Sequence, residues 1–368
     1  MPHKKINPLE IEVLPLSQRK NYLDIERLTA KIAADTPIPS PAMAAQVDAL
    51  ASRIKAARLA DKSVMLAYGA HLIKNGGGVL LRALMDGGYV THLATQGAGT
   101  IHDWEFAWQG KSSESVADNA PQGRFGSWDE TGRWINLAVI AGAAEGLGYG
   151  ESLGRLISTE KLALPTTARL EEMICENPAD ELTAARADLL ATMRRFNLPA
   201  GEIAVPHLFK KFSALGGAYE RNIPFTVHPG IGYDIIVNHP FYCGAAIGRG
   251  AETDARIFAD SVLNLGVYMS VGCAIMSPQV FEKAFSLANN LRRTRGHELL
   301  RDHYIAVVDI QNGGGWNWKN GEPPKDNPAY YLRFCKSFYR MGGVTDYLCG
   351  DNIVVLKALL ERLKTNVD

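Results

Sequence analysis

Proton-handling groups crowd together in Ile101-His102-Asp103-Trp104-Glu105, where an imidazole and two carboxylates fall within one helical turn. That combination suits general acid–base work, so His102 and Asp103 are candidate catalysts and Glu105 a candidate contact for a cationic substrate. Asp103 reads equally as a helix cap, with Glu105 complementing the helix dipole. A second polar stretch, His228-Pro-Gly-Ile-Gly-Tyr-Asp234, is kinked by Gly and Pro and adds Asp234 as a catalytic candidate and His228 as a substrate contact. Lys336 lies among Tyr331, Phe334 and Phe338. Desolvation there would lower its pKa and make it a nucleophilic amine, while a lysine snorkelling from a helix surface has the same surroundings. Cys273 reads as a buried core thiol more readily than as a nucleophile.

Around these groups run glycine-rich segments that let a backbone approach a ligand. Gly69-Ala70-His71 and Thr95-Gln96-Gly97-Ala98-Gly99 are the first two, and neither completes a GxGxxG pattern, because His102 stands at the third position of the second. Gly272 follows another apolar run. Asp309 opens a triple-glycine stretch ending in Trp316 and Trp318, aromatic faces suited to an organic cation or a flat ring, or to packing beneath a turn. Asp351-Asn352 precedes the last helix, a place for a ribose hydroxyl or a cap.

The elements that must position these residues are legible as apolar runs. Ser63–Tyr68 and Tyr89–Thr95 bracket a helical stretch, Val79–Met85, as a buried parallel βαβ crossover does. Further strands are expected at Ile223–Val227, Val267–Val271, Tyr304–Ile310 and Asp346–Cys349, with helices between them and a final helix at Ile353–Leu363. Residues from about 131 to 215 read as helical with no obvious strand. The expectation is a doubly wound, mostly parallel α/β fold, Rossmann-like, with a helical insertion. Residues 1–41 form a Pro-rich N-terminal arm, and 42–368 a single large domain.

Lys plus Arg equals Asp plus Glu at 39 each, so no charge excess favours nucleic acid or an anionic membrane. No signal peptide or run of about 18 apolar residues is present, which leads us to expect an unanchored, cytoplasmic protein. The five cysteines never fall in a CxxC spacing, which disfavours disulfides and structural zinc.

The segment from Tyr68 to Gly78, Leu93–Gly99, Asp234, Gly272 and Asp351 together resemble the deoxyhypusine synthase-like group of NAD-binding proteins. Lys336, eight positions after Pro328, matches that group's nucleophilic lysine, whereas no histidine pair follows Gly272. The resemblance implies an NAD-dependent transferase acting on an aliphatic amine or polyamine, by hydride abstraction to an imine and then aminoalkyl transfer. Gly88-Tyr-Val90, Ile101–Glu105 and Gly110-Lys-Ser-Ser also resemble the carboxy-terminal domain of ornithine cyclodeaminase-type LOR/SDH proteins. That second resemblance implies an NAD-dependent amino-acid deaminating enzyme, and a non-catalytic nucleotide-binding protein is a third possibility. Both families imply NAD and a homo-oligomer, and the strand-end residues Gly69, Ala70, His71, Thr95, Gln96, Gly97, Gly272, Asp309, Asp351 and Asn352 are the candidates for holding the cofactor.

Overall fold

The apolar runs pair into one parallel sheet in the computed structural model, which describes residues 3–365. Positions 1–2 and 366–368, at the ends of the two segments assigned from sequence, lie outside the described residues. The strands are β1 (Ser63–Tyr68), β2 (His92–Thr95), β3 (Phe225–Val227), β4 (Leu265–Val271), β5 (Tyr304–Asp309) and β6 (Val344–Cys349). Across the sheet they run β3-β2-β1-β4-β5-β6, every neighbouring pair parallel. This is the doubly wound order, and its reversal between β1 and β4 opens a crevice at the carboxyl ends of the strands. Val227 pairs with Thr95, Thr95 with Tyr68 and Tyr68 with Val271, so those ends fall in one row.

Burial on both faces explains why the strands read as continuous apolar runs. Side chains alternate between the faces: Val64, Leu66 and Tyr68 enter one core cluster, while Met65 and Ala67 enter the other. Between β2 and β3 the chain makes the long helical excursion expected from sequence, including the helices Asp129–Ala144, Tyr149–Thr159 and Thr183–Arg195. Within it Lys161–Leu164 pairs antiparallel with Gly201–Ala204, a two-stranded ribbon that the sequence had not suggested. Its alternating exposed and buried residues are too few to stand out against the flanking helices.

Two elements differ from the sequence reading. Gly97–Gln109 is a helix from its first glycine, ended by Gly110 in the left-handed conformation at φ +71°. The N-terminal segment does not project as an arm: Ile25–Asp35 is a helix, and Leu23–Asp24 pairs antiparallel with Lys111–Ser112. Leu16, Arg19 and Ile25 are buried, which lays this segment beside the start of the helical excursion.

Candidate functional site

The Gly97–Gln109 helix rises from the end of β2 and turns Ala98, Ile101, His102 and Glu105 to one side, at i, i+3, i+4 and i+7. Those four residues line a cavity of about 290 Å³ with Arg19, Lys74, Tyr233 and Asp234 among its other walls. Lys74 comes from the end of the short helix after β1, Asp234 from the loop after β3, and Arg19 from the N-terminal segment. The cavity therefore gathers side chains from four separate parts of the chain at the edge where ligands of such sheets bind.

Glu105 is buried at the back of this site and accepts four hydrogen bonds. Arg19 grips it with both terminal nitrogens, Nη1 to Oε1 at 2.7 Å and Nη2 to Oε2 at 2.6 Å. Thr131 Oγ1 donates to Oε1 at 2.9 Å and Ser112 Oγ to Oε2 at 2.6 Å. Burial, the largest influence, would raise the pKa of Glu105, but the charge and hydrogen bonds of Arg19 together with its other partners, Ser112 among them, hold the carboxyl below its ordinary value. His102 Nδ1 lies 2.8 Å from Ser112 Oγ. Burial pushes His102 down to about 4, so the ring is neutral at physiological pH.

Asp234 stands over the first turn of the same helix. A Cβ at position 97 would lie 2.1 Å from Asp234 Oδ2, so only glycine leaves room for the carboxylate. Burial pushes Asp234 up to about 6, opposed in part by the Gly230 N–H that it accepts at 3.1 Å. Lys74 is half-buried, and among the described residues its ammonium makes no ion pair.

Other predicted residues have different employment. Asp103 points away from the cavity, accepting Ser213 Oγ at 2.5 Å and the backbone N–H groups of Ala214 at 2.9 Å and Leu215 at 3.1 Å. It caps the Ala214–Glu220 helix, the alternative reading of its sequence context, although the helix it caps is remote in sequence. Lys336 lies on the helix joining β5 to β6, with Nζ 3.7 Å from the centre of the Tyr330 ring. Four strand spacings separate β2 from β6, about 19 Å at ~4.8 Å each. Trp316 is half-buried and donates Nε1 to Gly321 O at 2.9 Å. His228 packs edge-on against Phe258, with Nε2 3.2 Å from Thr226 Oγ1, and burial pushes it down to about 4.

The reversal point between β1 and β4 collects several residues expected to hold a cofactor. A Cβ on Gly69 would lie 2.0 Å from Gly272 O, so these two loops touch at their roots. Gly272, at φ +56°, has Asn352 Nδ2 where a side chain would go, and Asn352 Oδ1 is buried with no hydrogen-bond partner among the described residues. An acceptor left without a donor at this place fits a ribose hydroxyl or an amide of a dinucleotide. Nearby, Gln96 Oε1 is 4.0 Å from Cys273 Sγ, and Thr95 Oγ1 donates to Tyr68 O at 2.9 Å. Ala70 opens the short helix after β1 and His71 is exposed on it. Asp351 caps the last helix through Ile353 N and Val354 N, and Asp309 Oδ1 accepts Gln311 N at 3.0 Å, so both serve local turns.

The structure brings together His102 and Asp234, which sequence reasoning singled out, with Arg19, Lys74 and Ser112, which it did not, and it turns Glu105 from an expected substrate contact into the partner of Arg19. Ser112 and Lys74 lie in stretches noticed for their glycines and small residues, whereas Arg19 sits 86 positions from Glu105, beyond any local pattern.

No family model and no curated protein matches the chain. Among solved structures it is similar to unliganded AgrE, at 14% identity and a TM-score of 0.43 over 89% of this chain and 33% of that one. It is also similar to the ternary complex of AgrE with ornithine and NAD+, at 15% identity and a TM-score of 0.41 over 89% and 34%. A conserved LOR/SDH-type protein from Methanococcus maripaludis S2 is similar at 14% identity and a TM-score of 0.43 over 90% and 72%. The chain thus spans about a third of the length of AgrE. At this level of likeness no residue role passes from those proteins to this one.

Proposed function

We propose that the protein is an NAD-dependent enzyme that oxidises a small amino acid at the carbon bearing its amine to an imine, which water then hydrolyses to the oxo acid and ammonia. The observation that carries this reading is the charge set of the 290 Å³ cavity. Arg19 is ion-paired to Glu105 and lies 4.0 Å from Glu114, which leaves a carboxylate in Asp234, a neutral imidazole in His102 and an ammonium in Lys74 without an ion pair among the described residues. A zwitterionic amino acid answers both charges, its carboxylate to Lys74 and its ammonium to Asp234. A polyamine has a cation to offer each of them and would meet Lys74 with like charge. Aminoalkyl transfer through Lys336 finds no support in the cavity, since that lysine stands at the other end of the sheet.

Bound NAD+ would supply the hydride acceptor for the amine-bearing carbon. Asn352, Gly272, Gly69 and the Thr95–Gln96 turn are the residues that would hold it at the reversal point. His102 takes a proton from the substrate amine, Asp234 keeps that amine oriented, and Lys74 fixes the far end of the molecule. Glu105 stays ionised behind His102, clamped by Arg19.

Ammonium release in the presence of NAD+ tests the proposal, with ornithine, lysine and arginine set against putrescine and spermidine. We expect turnover of an amino acid and none of the diamines. Lys336→Ala should leave the rate within about twofold, whereas His102→Gln should cost roughly a hundredfold in kcat/KM, the scale of lost acid–base catalysis. Polyamine turnover abolished by Lys336→Ala would replace this reading with aminoalkyl transfer, and ligand binding without any turnover would leave a nucleotide-binding protein. A homo-oligomer is a separate proposal: light scattering should give a multiple of 40.1 kDa, and a monomer would contradict it.

A further inference from the structure

The direction of each hydrogen bond behind His102 follows from the charge at the far end of the chain. Glu105 is ionised and fully buried, so both of its oxygens only accept. Ser112 Oγ lies 2.6 Å from Glu105 Oε2, and its single hydrogen therefore points at the carboxylate. What Ser112 offers His102 is a lone pair. His102 Nδ1, 2.8 Å away, must then carry the ring hydrogen and donate it to Ser112. A neutral imidazole has one hydrogen to place, so Nε2 is left bare.

We propose that Ser112 is a positioning residue: oriented by the Arg19–Glu105 pair, its hydroxyl holds His102 in the Nδ1–H tautomer and leaves Nε2 as the base that faces the cavity. Free histidine favours the opposite tautomer, so the preference must be imposed by a partner. Thr131 and Arg19 fill the remaining acceptor positions of Glu105 and prevent the carboxylate from rotating away. Pairing of Leu23 with Ser112 and of Asp24 with Lys111 ties this arrangement to the N-terminal segment. That segment thereby contributes to the site. The inference deepens the proposed function, because it specifies which nitrogen does the work, but its test does not require that function to be right.

The tautomer is read by long-range proton–nitrogen correlation on full-length protein labelled at histidine nitrogen, without cofactor, at pH 7.5. The sequence has nine histidines, and the His102 signals are assigned by their loss in His102→Gln. The wild type should show a protonated Nδ1 and a bare Nε2 at His102. Ser112→Ala should convert the ring to Nε2–H or to a mixture, and Ser112→Thr, which restores the hydroxyl, should return the wild-type pattern. In turnover, Ser112→Ala should lower kcat by tenfold or more with KM within about twofold. An Nε2–H ring in the wild type, or an unchanged tautomer in a folded Ser112→Ala protein, would overturn the proposal. Should Ser112→Ala fail to fold, the wild-type spectrum and Ser112→Thr still decide it. Loss of NAD+ binding or of turnover with the Nδ1–H pattern intact would count against the proposed function and leave this inference standing.

Discussion

At the scale of single residues, the site is built from groups whose protonation the fold has displaced. Asp234 titrates at about 6 where an unperturbed aspartate has 3.8, because burial penalises its charge. A carboxyl whose pKa is raised on folding favours the folded protein below the unfolded value, and that contribution is lost as pH rises through 6. Above that pH the ionised carboxylate costs roughly 3 kcal/mol, at about 1.4 kcal/mol per pKa unit. Asp234→Asn should therefore raise the melting temperature at pH 7.5 while abolishing amine binding, a gain in stability at the expense of the site. A lower melting temperature in this variant would mean that Asp234 holds the loop together and is not poised for a ligand. Catalytic rate should also fall with decreasing pH through about 6, as Asp234 takes up a proton and ceases to hold an ammonium.

At the scale of elements, the Gly97–Gln109 helix decides what the cavity contains. Alanine is the better helix former by about 1 kcal/mol, so Gly97→Ala would strengthen an isolated helix. In the protein the added methyl would lie 2.1 Å from Asp234 Oδ2 and must displace it. We expect Gly97→Ala to lose amine binding with little change in helix content by circular dichroism, and unchanged binding would show that Asp234 is not where the substrate sits. The same helix marks where the sequence was hardest to interpret. The six strands of the parallel sheet were legible from their apolar runs, because strands buried on both faces leave a strong signal. Gly97 and Gly99 looked like a ligand loop, yet each yields its side-chain space to a neighbour, Asp234 in one case and Thr95 in the other. His102, Glu105 and Asp234 were identifiable by residue type. Arg19 was not, since its pairing with Glu105 spans 86 positions, and for Asp103 a cap was one of two open readings while the helix it serves, entered at Ser213 110 positions downstream, was not legible.

At the scale of the whole molecule, burial of histidines sets the response to acid. Burial pushes His92 down to about 3 and His102, His207, His228 and His303 to about 4, from 6.5. Histidines depressed on folding contribute stability that is present above pH 6.5 and lost as pH falls toward 4. Asp103, Asp234 and Asp254 pull the other way, because their raised pKa values let the folded protein take up protons first. Five groups against three leave the unfolded chain with the greater uptake, worth about 1.4 kcal/mol per proton per pH unit. The melting temperature should accordingly fall steeply between pH 6.5 and 5, before ordinary carboxylates titrate, and a flat profile down to pH 5 would contradict this.

Thermal unfolding of the full chain at pH 7.5 with NAD+, and then with ornithine added to the NAD+-loaded protein, tests the central claim most directly. A ligand that binds only the folded state raises the midpoint by mass action, whatever reaction follows. The account predicts a rise with NAD+, a further rise with ornithine or another amino acid, and no second rise with putrescine. No shift at saturating NAD+ would contradict it, and would mean that the glycines at the reversal point serve only to pack one strand end against the next.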